Sequence, residues 1–137
     1  MIRLAEDADI PRIVAMGERF HALAGHDIPY DREAVAGFLR ATMANPDAAV
    51  ICHDHGMIGG VLVPLYYNPA AVMAVETFWW AERDGRSLLA AFEGWAHGRG
   101  AKRVVVSRLE GKGDRALDAL FRRRGYAPME HSYVRAI

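Results

Sequence analysis

Between residues 48 and 80 lie three β-rich runs whose connections are too short for anything but antiparallel pairing. The runs at 48–53 and 57–65 meet at Asp54-His55-Gly56, a hairpin turn, and Asn68-Pro69 reads as a second turn into 72–80. A parallel connection needs a dozen or more residues, so this stretch predicts a three-stranded meander. Whatever else the chain builds must pack on that sheet.

The flanking segments read as helices. Asp9 precedes Pro11, an acidic cap and a proline suited to a helix start, and Ile10, Ile13, Val14, Phe20 and Leu23 follow near helical spacing up to Gly25. A loop spans 25–30. Asp31 is expected to cap a second helix with Val35, Phe38, Leu39, Thr42 and Met43 on one face, stopped by Asn45-Pro46. After the meander comes a helix with Leu88, Leu89, Phe92, Trp95 and Ala96, ended by Gly98 and Gly100. A strand follows over 102–109. Asp114 is read as the cap of a last helix carrying Leu117, Leu120 and Phe121, and residues 126–137 read as a closing strand. With a short strand at Ile2-Arg3-Leu4-Ala5, the order is β-α-α-β-β-β-α-β-α-β. That is a mixed α/β pattern with an antiparallel meander and one β-α-β crossover.

The 137 residues suit one domain, 1–137, with 52% hydrophobic and 25% charged residues, as in soluble globular proteins. No apolar run reaches the ~20 residues of a membrane-spanning helix, and the acidic start lacks an apolar signal core. One cysteine, Cys52, fits a reducing compartment, so a cytoplasmic location is expected. Net charge is zero, yet residues 1–70 hold five Lys+Arg against nine Asp+Glu, while residues 71–137 hold twelve against eight. A basic second half suits a phosphate-bearing ligand, and equally a solvated arginine-rich helix. A nucleic-acid-coating protein is expected to be basic overall, which argues against that class.

The most informative segment is the strand-to-helix junction at 80–88. A helix N-terminus offers free N–H groups and partial positive charge to a phosphate. Arg83 and Arg86 add charged donors, Gly85 permits close backbone approach, and Ser87 adds a hydroxyl.

Here the sequence resembles the GNAT superfamily of N-acetyltransferases, in particular its short phage- and prophage-associated members. The family's pyrophosphate pattern, R/Q-x-x-G-x-G/A before a Leu pair, aligns on Leu88-Leu89 with Gly85 at the final Gly/Ala, Arg83 at the middle Gly and Trp80 at the first position. Alternatively Arg83 is the first residue of a shortened loop. Phe92-Glu93-Gly94-Trp95-Ala96 with Gly100-Ala101 is similar to the family's helix, Leu120 through Tyr126 to its helix-to-strand turn, His131-Ser132-Tyr133-Val134-Arg135 to its closing strand, and Glu76 through Trp80 to its fourth strand.

The resemblance implies a mostly antiparallel sheet of six to seven strands with four helices, and transfer of an acetyl group from acetyl-CoA to a primary amine. Strands four and five would splay apart and hold the pantetheine arm against the backbone of Phe78, Trp79 and Trp80. Arg83, Asp84, Gly85, Arg86, Ser87 and Leu88 would receive the pyrophosphate, with Asp114, Phe121 and Arg123 also beside the cofactor. Glu76 is the candidate base, acting directly or through water and placed by alternation on the face of Phe78 and Trp80; a strand carboxylate facing solvent or paired with an arginine is the plain alternative. Phe121 stands where the family often has a tyrosine acid, so Tyr126, or Tyr133 as an alternative, would supply the proton, unless solvent does; each also reads as a buried core tyrosine. Acceptor contacts are expected from the loop at 25–30, with Tyr30, and from Tyr66 and Tyr67. A homodimer is among the expectations.

Two other readings belong beside this one: a binding module that keeps the cleft without turnover, and a nucleic-acid-associated accessory protein, for instance one acting on amino-modified bases. Cys52-His53-Asp54-His55 lacks the spacing of a zinc site, since neighbouring strand residues point to opposite faces, and no metal is expected. Arg122-Arg123-Arg124 reads as a helix end complementing the dipole, or as a phosphate contact.

Overall fold

The computed structural model describes residues 1–111 and 113–137. Two compact units divide the chain, 1–107 and 108–137. The first holds β1 (Arg3–Leu4), a 3-10 turn (Asp7–Asp9), α1 (Ile10–Ala24), α2 (Arg32–Ala44), β2 (Ala48–His53), β3 (Gly56–Leu65), β4 (Asn68–Ala81), α3 (Gly85–Gly98) and β5 (Arg103–Val105). The second holds α4 (Asp114–Arg123).

The sheet runs β1-β2-β3-β4-β5, antiparallel except for the parallel β4–β5 pair that the α3 crossover creates. Alternation sorts its side chains into two layers. Val50, Cys52 and Met57 join Ile10, Ile13, Val14, Met16 and Leu39 of α1 and α2 in one buried cluster. On the opposite face, a methyl group placed on Gly56 or Gly60 would meet Leu88 or Phe92 of α3, and Leu88, Leu89, Phe92 and Ala96 are all fully buried. Helices therefore cover both faces of the meander.

Local chemistry explains most boundaries. Gly25 takes the left-handed conformation (φ 72°) that closes α1, and Asp31 accepts the Ala34 N–H at 3.0 Å to open α2. Asp9 departs from its expected role. It makes no side-chain cap bond; its carboxylate, nearly buried, instead takes both Arg3 (2.7 and 2.9 Å) and Arg12 (2.8 Å), with the Glu6 N–H at 2.8 Å. Two guanidinium groups outbid the helix N–H groups because charge-assisted bonds are stronger than neutral ones. These contacts, led by the Arg3 hydrogen bond, hold the Asp9 carboxyl well below the usual carboxylate range.

The second hairpin turn is not at Asn68-Pro69. Leu65 pairs with Asn68, so Tyr66 and Tyr67 form the turn and Pro69 lies inside β4 at an exposed position, where a missing N–H costs little. The strand expected at 102–109 is assigned only at Arg103–Val105. Residues 126–137 carry no strand, and among the described residues the sheet has five strands rather than six to seven. Among the described residues of 108–137 there is no strand, and extended sequence without a partner is not a strand.

In the second unit, Gly113 is the residue before α4 and Asp114 its first turn, with no side-chain cap bond. Arg108 gathers the acids there: Asp118 at 2.7 Å, Asp114 at 3.3 Å and Glu110 at 3.5 Å.

Gly60 leaves no room for a side chain, and one of the atoms it faces is backbone. A Cβ there would fall 2.4 Å from the Phe92 ring and 2.5 Å from the Val75 carbonyl oxygen. Gly60→Ala is expected to destabilise the fold by about 1–3 kcal/mol, the cost of overpacking, read as a lower urea midpoint. An unchanged midpoint would mean that β4 and α3 can shift apart freely.

Candidate functional site

The site begins where β4 loses its neighbour. Parallel pairing with β5 covers only Met73–Arg103, Ala74–Val104 and Val75–Val105. Beyond Val75, β4 runs on to Ala81 with β3 along one edge and, among the described residues, no strand along the other. Its outward N–H and C=O groups are a template for any extended ligand with amide groups of its own.

Glu76 stands at the start of this open edge. Its carboxylate accepts the Ser107 N–H at 3.3 Å, reaching across to the chain just past β5. Burial pushes its carboxyl up to about 7, against the opposing pull of that one hydrogen bond. A carboxylate with that affinity for protons can take one from an incoming ammonium or amine near neutrality.

The expectation that alternation puts Glu76 on the face of Phe78 and Trp80 fails. Gly59 pairs with Phe78 but Gly60 with Glu76, so Thr77 is an extra residue, a β-bulge that breaks the period of two. Phe78 and Trp80 do share a face. Both pack against the α1–α2 cluster, Phe78 near Phe38 (6.3 Å between ring centroids) and Trp80 near Phe20 (5.4 Å). Their side chains are structural, and only their backbone borders the open edge.

β4 then turns into α3 through 82–84. Asp84 takes the left-handed conformation (φ 56°), the one non-glycine among the described residues to do so, and an aspartate tolerates it better than most. Asp84 also receives the Ser87 hydroxyl, so these two side chains satisfy each other. The first-turn N–H groups of Gly85, Arg86 and Ser87 have no intrahelical acceptor, and no cap side chain covers them. A Cβ on Gly85 would lie 3.3 Å from Ala81 and 3.5 Å from the Trp79 indole nitrogen. Trp79 thus folds back on the helix start. Arg86 is exposed; Arg83 is hydrogen-bonded to His55 of the β2–β3 hairpin; Leu88 is fully buried and contributes no side-chain contact to solvent.

Beside this loop, a cavity of about 460 Å³ is lined by His53, Asp54, His55, Arg83 and Asp84 with the first two residues of the chain. Among the described residues, no three His, Cys, Asp or Glu side chains are grouped to hold a metal ion, and no helix is long and apolar enough to cross a membrane. The buried Cys52 thiol is pushed up by burial, with Arg12 3.8 Å away.

The expected acceptor residues separate. Tyr66 and Tyr67 stand exposed at the hairpin tip with edge-on rings, not along a strand. Tyr30 turns inward: its hydroxyl donates to the Val14 carbonyl at 2.9 Å, tying the loop at 25–30 to α1. That loop, with His21, Asp31, Ala34 and Val35, surrounds a second cavity of about 330 Å³. In the second unit, Phe121 packs on Tyr126 (5.6 Å between centroids), Arg123 is exposed, and Asp114 is engaged by Arg108 and the Gly111 N–H. Tyr133 is 92% exposed, against the expectation of a core tyrosine.

No family model matches the sequence, and no curated protein matches it. Solved structures do match along its length. A proposed acetyltransferase of Arthrobacter sp. FB24 superposes with a TM-score of 0.79 at 20% identity, over 99% of this chain and 96% of its own. A predicted acetyltransferase from Clostridium acetobutylicum, solved with acetyl-CoA, gives 0.75 at 13% identity over 99% and 95%. The chain shares the fold of these structures. An aminoglycoside acetyltransferase from an uncultured soil metagenomic sample, in complex with sisomicin, has the same fold with a TM-score of 0.65 at 19% identity over 100% and 93%.

Within this fold, Thr77 and Ser107 were not singled out by sequence reasoning, and His55 was read only as a turn residue and a discounted metal ligand. Gly59-Gly60 was a usable signal for the bulge, since paired glycines inside a strand mark a bulge or a close approach. Ser107 left none, because its relation to Glu76 exists only after β4 and β5 pair.

Proposed function

We propose that the chain transfers an acetyl group from acetyl-CoA to a primary amine by direct attack. The observation that carries this reading is the open edge of β4 with a proton-hungry carboxylate at its start. The pantetheine amides pair with the β4 backbone near Phe78, Trp79 and Trp80, and one of those N–H groups polarises the thioester carbonyl. The first turn of α3, with Arg83, Gly85 and Arg86, takes the pyrophosphate. The amine nitrogen bonds to the acetyl carbon, the carbon–sulfur bond breaks, and Glu76 accepts the amine's proton. The departing thiolate is protonated by solvent, or by Tyr126 or Tyr133, the side chains that the family resemblance nominates; the same resemblance assigns Asp114, Phe121 and Arg123 to the cofactor. The cavity around the loop at 25–30 is the acceptor's place. Aminoglycosides are a sensible first class on an amine panel, and amino-modified nucleobases a second, the latter suggested by the phage-like sequence from Glu76 to Trp80.

The test is a melting curve with and without acetyl-CoA, followed by thiol release on an amine panel. At about 100 times its dissociation constant, a ligand adds about 2.7 kcal/mol, a rise of roughly 5–15 °C for a chain of this size. The rise is expected to vanish in Gly85→Trp, whose indole would fill the approach to the α3 N–H groups, while the unliganded protein still melts cooperatively. A rise without thiol release on any amine would favour the silent binding module. No rise would sink the acetyl-CoA reading.

A further inference from the structure

The bulge in β4 does more than interrupt a ladder. Three features meet within three residues. Pairing of β4 with β5 ends at Val75–Val105; Glu76 pairs with Gly60; and Thr77, the inserted residue, turns its hydroxyl back across the ladder to donate to the Gly59 carbonyl at 3.1 Å. A bulge bends its strand and raises the local twist, which ends pairing with a neighbour and re-aims the side chains beside it. It also disturbs the ladder locally, and a carbonyl that loses its regular partner needs another. The Gly59 carbonyl takes the Thr77 hydroxyl.

The partner strand is shaped to accept this insertion. A Cβ on Gly59 would lie 2.3 Å from the Phe78 ring, and one on Gly60 would strike Phe92 and the Val75 carbonyl. The two bare positions let the Phe78 ring close over one face and the Phe92 ring over the other. With straight pairing, Glu76 would fall opposite Val61 and period two would send it toward the face of Phe78, under α1 and α2. With the bulge it falls opposite Gly60, and its carboxylate reaches the Ser107 N–H.

We propose that Thr77 is a positioning residue whose hydroxyl, closed on the Gly59 carbonyl, locks the bulge that parts β4 from β5 and sets the Glu76 carboxylate on the Ser107 N–H. Its consequence for catalysis rests on the reading of Glu76 as the base. The positioning itself does not, and it has a readout of its own.

The experiment is an NMR titration of the full chain, following the Glu76 side-chain carboxyl carbon, assigned with Glu76→Gln, and the Ser107 amide. In the unmodified protein the Ser107 amide shift should step with the titration of Glu76, because the two are hydrogen-bonded. Thr77→Val keeps the shape and removes the hydroxyl; Thr77→Ala removes it with less bulk; Thr77→Ser keeps it. Both hydroxyl-free variants are expected to lose the Ser107 step, and their Glu76 midpoint should fall toward the ordinary glutamate value of about 4.3. Thr77→Ser should retain both. A merely structural threonine would lower the melting point in the variants and leave step and midpoint as they were, and that result would overturn the proposal. If the Ser107 coupling depends on the hydroxyl while Glu76→Gln turns over at full rate, the positioning stands and the base assignment falls.

Discussion

Glu76→Gln is expected to slow acetyl transfer by about 10²–10⁴-fold, the usual contribution of a positioned general base. The substitution keeps the side chain's size and its acceptor for the Ser107 N–H, so the loss would be that of a proton acceptor. The pH dependence sharpens the test. Burial raises the Glu76 carboxyl to about 7 in the folded protein, so the ionised base accumulates as the pH rises through that value. The rate should climb through pH 7 in the parent and lose that limb in the variant. Stability should move the other way. A carboxyl raised above its unfolded value favours the folded state in its protonated form; that contribution is present at low pH and lost progressively from about pH 4.3 up to about 7. At pH 8 the folded protein carries a buried charge that glutamine would remove, so Glu76→Gln should unfold at a higher temperature than the parent. Lower activity with equal or greater stability cannot be blamed on unfolding. Full activity in the variant would remove Glu76 from the mechanism.

The second large effect concerns Asp9. Replacing it by alanine leaves Arg3 and Arg12 without their shared carboxylate and the Glu6 N–H without its acceptor. Removing one partner of a buried ion pair costs about 3–5 kcal/mol. Arg3 and Arg12 keep roughly a third or more of their side chains in water, so a loss near the low end, about 3 kcal/mol, is expected. Asp9 is held below its unfolded value, so its contribution is complete above about pH 4 and lost as the pH falls below that. Asp9→Ala should therefore show a reduced urea midpoint at pH 7 and a smaller further loss on acidification than the parent. A variant as stable as the parent at pH 7 would show that the two arginines simply rehydrate. The cluster also bears on the sheet, because Arg12 donates to the His53 carbonyl at 2.5 Å and so fastens α1 to the end of β2.

Much of this architecture could be read before any coordinates. Alternating apolar runs with short turns specify antiparallel neighbours, and the helices announce themselves through spacing, Pro11, the Asp31 cap and Gly25. Glu76 and the junction at 80–88 stood out as candidates for the same reason: a carboxylate on a strand and a glycine before a Leu pair are local features. The misreadings share one cause, competition that only contact reveals. Asp9 has the chemistry of a cap until two arginines arrive from β1 and α1. Asn68-Pro69 has the chemistry of a turn until the register carries pairing through Asn68 and leaves Tyr66 and Tyr67 to turn instead. Residues 126–137 have the composition of a strand, but a strand is a pairing, and composition names no partner.

By itself, then, the sequence determined the order of elements as far as α4, the three-strand meander, and which residue types could do chemistry. Tertiary structure alone decided where that chemistry stands. One inserted residue at Thr77 reverses the face predicted for Glu76, since side-chain direction in a strand depends on a count of two and a bulge resets the count. The raised proton affinity of Glu76 is likewise a property of burial, and burial is conferred by neighbours remote in sequence.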